Sequence, residues 1–392
     1  MSVSITGFLI ITTFNIIMPI FPLFLSSLGA TAAVIGLIFG ARYVGQIFLR
    51  APFGSISDRL GRKSLIEAGC ICIVISQFTF FVAQDLLVIF GASILNSIGL
   101  ALFWPVLQAS VSDLSRSGKV AERFAIYSTI TDVGTIIGPL FGGWFAELYG
   151  YRLVLGISTL SATISLLFSF LLIPDTFRNG DKKGNSAKGV RKEFIQSIRL
   201  LPVTALSMLR KPMILMIAGA TFAEFFFFSA LAAYYPLLAR AEGLNEVEIG
   251  ITITSFGLLS VPLRLFMGRF SDRTGRIIPI ILSLSSYTVL IALIPLFPAF
   301  AWLTFFIALL GIFDGLIFVN SIAAITETMG GEKRGLGTGF WGVVAYTGYS
   351  AAAVLMGFIA EISLSWVFYL TSAICFSILL LVLFISSRTK FS

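Results

Sequence analysis

Four ionisable residues fall near the middle of the long apolar runs of this 392-residue chain: Arg42, Asp132, Glu224 and Asp314. Counted at ~1.5 Å per residue from the charged ends of their runs, they lie about 18, 14, 20 and 20 Å deep in a bilayer. A charge at that depth costs several kcal/mol unless it is paired or wetted. Burial disfavours the ionised form of a carboxyl group, whereas a neighbouring guanidinium favours it. Such a set can alternate between an Arg42 ion pair and a protonated acid. Glu224, Asp314 and Asp132 are the candidate proton carriers, with Arg42 as their switchable counter-charge. A static ion pair between Arg42 and one acid is the plainer reading, but it leaves two acids without a role.

At similar depth the sequence places Asn15, Gln46, Trp104, Gln108, Asn320, Trp341 and Tyr346. With Arg42 they could line a mixed polar and aromatic cavity suited to small, flat, apolar, partly charged molecules. Each aromatic taken singly is explained as well by contact with lipid or a neighbouring helix. The run Phe225 to Phe228 reads as packing or lipid-facing, yet it must turn at least one ring toward the cavity beside Glu224.

These residues need membrane-spanning helices to hold them. The chain is 57% hydrophobic and only 12% charged, has no histidine, and has a mean hydropathy of +0.98. A soluble globule carries about twice that charged fraction. Twelve apolar runs are long enough to cross a core of about 30 Å. They cover about residues 5–27, 32–56, 64–83, 86–112, 123–147, 152–174, 212–240, 246–270, 277–298, 300–326, 337–361 and 365–386. The expected fold class is therefore an all-α membrane protein with 12 transmembrane helices. The first run follows only Met1 to Ser4 and lacks a basic leader, so it reads as a helix rather than a removable signal.

A net charge of +8 would suggest nucleic acid in a soluble protein, so the placement of the cations decides its meaning. With the N-terminus in the cytoplasm, 22 of the 27 Lys and Arg fall in inner loops and the tail. The outer loops hold Arg152 and Arg240 alone. That asymmetry puts both termini in the cytoplasm and excludes nucleic acid as a partner. Cys70, Cys72 and Cys375 have no metal-ligand spacing and read as small packing residues, not as disulfides or a zinc site. With no histidine and no Gly-Lys-Ser or Gly-Lys-Thr phosphate loop, the sequence calls for no metal, no cofactor and no enzymatic activity.

The run Gly54, Ser55, Ile56, Ser57, Asp58, Arg59, Leu60, Gly61, Arg62 recurs 214 positions later as Gly268, Arg269, Phe270, Ser271, Asp272, Arg273, Thr274, Gly275, Arg276. The offset also joins Pro22 to Pro236, Gly36 to Gly250, Arg50 to Arg264, Asp113 to Glu327 and Glu147 to Glu361. One embedded half has been duplicated. Residues 1–174 form the first six-helix bundle, 175–211 a basic cytoplasmic linker and 212–392 the second bundle. Within the linker, Phe194, Ile195, Ile198 and Leu201 keep helical spacing among Arg191, Lys192 and Arg199. That pattern suits either a helix on the anionic inner leaflet or a solvated linker. The offset gives Arg42, Asp132, Glu224 and Asp314 the uncharged counterparts Phe256, Tyr346, Ile10 and Leu100, so function rather than the shared scaffold accounts for the four.

Six plus six helices, a parallel repeat and two copies of a charged inner-loop motif resemble the major facilitator superfamily over the whole chain. The resemblance implies two bundles that rock about a central cavity. It also implies two inner-face networks that latch the halves in the outward-open state. One would join Asp58, Arg62 and Asp113, and the other Asp272, Arg276 and Glu327. Gly54, Arg59, Gly61, Gly268, Arg273 and Gly275 complete the two motifs. Arg50 and Arg264, about one turn before each motif, are expected to snorkel to the interface or join the latch.

The fifth span holds Gly134, Gly138, Pro139, Gly142 and Gly143, a spacing that resembles the antiporter motif of the family's 12-helix drug:proton branch. Its counterpart, Gly348, Ala352, Ala353 and Gly357, is degraded, as in that branch. One element departs from the pattern. The fourth-span stretch Ser93 to Gly99 lacks both the arginine and the Gln-Gly pair that many members carry, so the membrane-embedded acids become the more informative groups.

The expected function is proton-driven efflux of small amphipathic or drug-like molecules by a monomer in the plasma membrane of a prokaryotic cell. Its partners would be a small-molecule substrate, protons and the bilayer. One alternative is a proton symporter importing an anionic metabolite on Arg42. Another is a non-transporting receptor or scaffold on the same fold.

Overall fold

The computed structural model describes residues 2–114, 120–174, 195, 206–329 and 334–388. In the first half α1 spans Ser2–Ile17, α2 Phe21–Ser27, α3 Ala32–Leu60, α4 Arg62–Val82, α5 Leu86–Asp113, α6 Val120–Tyr149 and α7 Tyr151–Leu172. In the second, α8 spans Pro212–Ala241, α9 Glu246–Thr274, α10 Ile277–Leu293, α11 Phe300–Met329, α12 Arg334–Ile362 and α13 Leu364–Arg388. A short 3-10 turn, Ile294–Leu296, extends α10. The linker expected at 175–211 lies outside the described residues, apart from Ile195 and 206–211.

Among the described residues, eleven helices are long and apolar enough to cross a membrane, and the count reaches twelve if α1 and α2, bent by 46° at their break, make one span. The chain is an all-α, multi-pass membrane protein. The bend corrects the expected single run over 5–27. Pro19 lies in the break and Pro22 is the second residue of α2, and a proline removes a backbone donor and clashes with the preceding turn. The helices are apolar on nearly every side because lipid covers whatever protein does not.

Two helices run further than expected. Both α3 and α9 continue about one turn past the expected ends at 56 and 270 and take the charged motif into the helix. Each stops at a glycine with positive φ, Gly61 at +89° and Gly275 at +81°. That backbone conformation is one which a Cβ strongly disfavours, so a single glycine reverses the chain into the next helix.

The contacts divide the chain into two compact units, Met1–Met18 with Ala41–Val203, and Pro19–Gly40 with Thr204–Ser392. In the first, α1 packs on α6 and α7, and α4 packs on α5 and α7. In the second, α8 packs on α12 and α13, and α10 on α11 and α13, the same neighbours at the repeat offset. The segment Pro19–Gly40 packs with the second half because its glycines fit there. A Cβ at Gly36 would meet the Ala353 carbonyl and the Tyr234 hydroxyl, and one at Gly40 would lie 2.7 Å from Val354 Cγ2. Helix α3 thus contributes its first residues to one unit and the remainder to the other.

Candidate functional site

The second unit brings two of the three candidate proton carriers together. Glu224 on α8 and Asp314 on α11 are 2% and 3% exposed. On α9, Ser260 Oγ donates to Asp314 Oδ2 at 2.7 Å. One turn on, Arg264 Nη2 lies 3.7 Å from the same oxygen. The charges of Asp314 and Arg264 both act on Glu224, and the buried phenol of Tyr287 on α10 lies within electrostatic reach of both acids. Glu224 Oε2 has no hydrogen-bond partner among the described residues.

Helix α9 approaches α11 closely at small residues. A Cβ at Gly315 would lie 2.9 Å from the Ser260 carbonyl and 3.3 Å from Arg264 Cγ. The glycine beside Asp314 is therefore what lets the arginine stem pass. Arg264, expected to snorkel to the interface or join the inner motif, lies beside a buried acid. Its guanidinium also lies 4.7 Å over the Phe318 ring, a cation-π contact.

A half-buried aromatic face adjoins the acids. Phe225 meets Trp341 at 5.3 Å and Tyr349 at 5.2 Å. Trp341 meets Phe318 at 5.6 Å and donates its indole N–H to Ser321 Oγ at 3.2 Å. Tyr346 stacks on Tyr349. The four phenylalanines after Glu224 divide by helical period: Phe226 and Phe227 are buried, while Phe225 and Phe228 are half-exposed.

Other candidates take different places. Arg42 is buried in the first unit with its guanidinium 5.6 Å from the Phe14 ring centroid, whereas the cation beside Asp314 is Arg264. Asp132 also lies in the first unit, where it shares a neighbourhood with Tyr127 and Arg50, and Arg50 donates to buried Gln46 at 3.5 Å. Trp104 stands edge-on to Phe103 and, with Gln108, is half-exposed on α5. Asn15 is half-buried on α1 and donates to the Ile11 carbonyl at 2.9 Å.

Asn320 is a correction. Expected at the cavity, it is fully buried. Its amide donates to the Arg276 carbonyl at 2.6 Å and accepts from Ser271 Oγ at 2.6 Å. Both ends of the side chain brace the inner turn.

The two inner motifs share one geometry. Arg62 pairs with Asp113, its Nη2 donating at 3.3 Å. Arg276 pairs with Glu327 through Nε at 3.0 Å and with Asp272 at 3.0 Å. The Glu327 carboxylate holds the Arg276 guanidinium above its usual basicity, so it stays charged. Gly54 faces Pro105 and Gly268 faces Val319, each at 3.7 Å from the position of a Cβ. Arg273 is exposed. The side chains of Asp58 and Arg59 lie outside the described residues.

On α6 the glycines form a seam against α1. A Cβ at Gly134 would lie 2.6 Å from Thr12 Oγ1 and one at Gly138 2.6 Å from Asn15 Cβ, while one at Gly142 would collide with the Ile16 carbonyl. Pro139 and Gly143 are buried in the same stretch. In the other half Gly348 makes the matching approach, 2.7 Å from the Phe222 carbonyl.

This paired architecture agrees with the sequence profile of the Major Facilitator Superfamily, which matches residues 3–245 and 217–391. The chain belongs to the major facilitator superfamily. Among its relatives is the quinolone resistance protein NorA of Staphylococcus aureus, 24% identical over 379 residues that cover 96% of this chain and 93% of NorA. The fold is shared with the nucleoside transporter NupG at a TM-score of 0.79 and 14% identity, covering 98% of this chain and 99% of that one. It is shared too with a POT family transporter crystallised with 5-aminolevulinic acid, at a TM-score of 0.77 and 13% identity, covering 99% and 96%.

Two residues that hold the site were missed from sequence. Ser260 and Arg264 lie four apart on α9 and so share the helix face turned to Asp314, a helical spacing already present in the expected run 246–270. Tyr287, a lone phenol in an apolar run, was a weaker signal.

Proposed function

We propose that the protein is a secondary active transporter that exports small amphipathic or drug-like molecules in exchange for protons, by alternating access. The observation that carries this reading is the buried Glu224–Asp314 pair beside a half-exposed aromatic face. Acids 2% and 3% exposed in a membrane half are costly to retain without a role in charge movement. Flat apolar molecules bind such a face by ring contact, and a cationic head would find the carboxylates close by. The α6 glycine seam, with its weaker counterpart on α12, and the similarity to NorA support export over import.

In this scheme loading from the cytoplasm releases a proton there. Protonation from outside discharges the substrate and allows the return. Asp132, in the other half, is the next carrier, and Arg42, buried in that half, is the switchable counter-charge. Both termini lie in the cytoplasm of a plasma-membrane protein acting as a monomer. Symport of an anionic metabolite on Arg42 is the competing reading.

Counterflow into proteoliposomes under an imposed pH gradient separates the two. Export predicts accumulation of a cationic aromatic dye against an opposing proton gradient. Accumulation of an organic acid along the gradient, with no dye movement, would replace this reading by symport. Movement of neither would favour a non-transporting role.

A further inference from the structure

We propose that Arg264 is a positioning residue that divides the two buried acids into a standing anion, Asp314, and a proton carrier, Glu224. This deepens the proton-coupled reading and rests on it. The two acids have unequal surroundings. Asp314 Oδ2 accepts from Ser260 at 2.7 Å and faces the Arg264 guanidinium at 3.7 Å. A carboxylate with a hydroxyl donor and a cation is matched as an anion. Glu224 Oε2 is buried with no donor among the described residues, and an ionised oxygen so placed loses its hydration without replacement. Two carboxylates in one apolar site resist ionising together. The proton therefore comes from water on one side, binds Glu224, and leaves to water on the other, while Asp314 keeps its charge.

The arginine is held for this task. Gly315 clears its stem, and Phe318, one turn after Asp314, lies under its guanidinium at 4.7 Å. Phe318 is in turn edge-on to Trp341 at 5.6 Å. A ligand that displaces Trp341 shifts the support of the guanidinium and so its reach to Asp314, which links occupancy of the aromatic face to the proton site. The titratable groups around the pair come from three helices: Arg264 from α9, Tyr287 from α10, and Cys375 on α13 facing Tyr287.

Infrared difference spectroscopy of the full chain in detergent at neutral pH tests the division without requiring transport. The carbonyl stretch of a buried protonated carboxyl group should vanish in Glu224→Gln and persist in Asp314→Asn. Arg264→Gln should add a second such band that Asp314→Asn removes, and Arg264→Lys should restore the wild-type spectrum. Gly315→Ala, which crowds the arginine stem but leaves the charge, should reproduce part of the second band. Loss of the native band in Asp314→Asn alone, or an Arg264→Gln spectrum identical to wild type, overturns the proposal. So does a Lys variant that behaves like Gln, since charge would then be irrelevant. If these bands appear while the pH gradient drives no flux, the transport reading fails and the division of the acids stands.

Discussion

Arg276 meets Glu327 across the inner turn of the second half as Arg62 meets Asp113 in the first, each pair separated by 51 residues in sequence. The arginines follow a positive-φ glycine at the start of one helix, and the acids end another. Each pair ties the charged turn to the fourth span of its own half. Asp113 and Glu327 have 37% and 57% exposed side chains. Exposed pairs of this sort contribute roughly 0–1 kcal/mol each.

The first prediction follows from that magnitude. Asp113→Asn and Glu327→Gln should each shift the balance of inward-open and outward-open forms about two- to fivefold toward inward-open, as an exposed pair permits. Labelling of single cysteines on the two faces reads the shift. Unchanged labelling in the double variant would leave the charges with only a topological role.

The second concerns coupling. Glu224→Gln should abolish gradient-driven transport while downhill exchange of the dye persists, because a glutamine keeps the shape and loses the proton. Asp314→Asn should weaken the pH dependence and leave some downhill exchange. Gradient-driven flux at wild-type rates in the double variant would send the proton route to Asp132.

The sequence carried the scaffold because membrane helices and a duplicated motif are local signals. Apolar length gave the spans, and the 214-residue offset gave matched turns at Gly61 and Gly275. Glu224 and Asp314 were legible because an ionisable residue in an apolar run stands out. Their surroundings were not. Arg264 stands about one turn before the motif in sequence, whereas α9 carries the motif in its helix to Thr274 and leaves the arginine about 15 Å from the helix end. Asn320 was read as a cavity residue because its partners, a backbone carbonyl and a serine, leave no trace in sequence. Assignment of Pro19–Gly40 to the second unit depends on small residues far apart in the chain, Gly36 against Ala353 and Gly357.

The third prediction tests the α6 seam. Gly142→Ala puts a Cβ into the Ile16 carbonyl of α1, and overpacking of this kind costs roughly 1–3 kcal/mol. The purified variant should melt several degrees lower and transport more slowly. Gly91→Ala, where a Cβ meets nothing within 4 Å, should match or exceed wild-type stability. Equal melting of the two would mean that the α1–α6 approach is not close in solution.

The last prediction concerns the shared helix α3. Its first turn is fixed to the second unit by Glu361, which accepts from the Ala33 amide at 3.1 Å. Tyr234 donates to the Ala353 carbonyl beside Gly36. A methyl group at Gly36 meets that backbone carbonyl and the phenol together, so no rotamer change relieves it. Tyr234→Phe removes one hydrogen bond, about 1 kcal/mol, and leaves the glycine contact intact. Under the orientation proposed above this seam lies at the outer face, so loosening it should expose a single cysteine at Ala33 to an impermeant maleimide. Gly36→Ala should raise the labelling rate more than Tyr234→Phe, by roughly tenfold or more against roughly two- to fivefold. The order matters, because overpacking displaces a whole helix start whereas a lost hydrogen bond does not. Equal rates in wild type and Gly36→Ala would show that the outer end of α3 moves freely whatever occupies the seam.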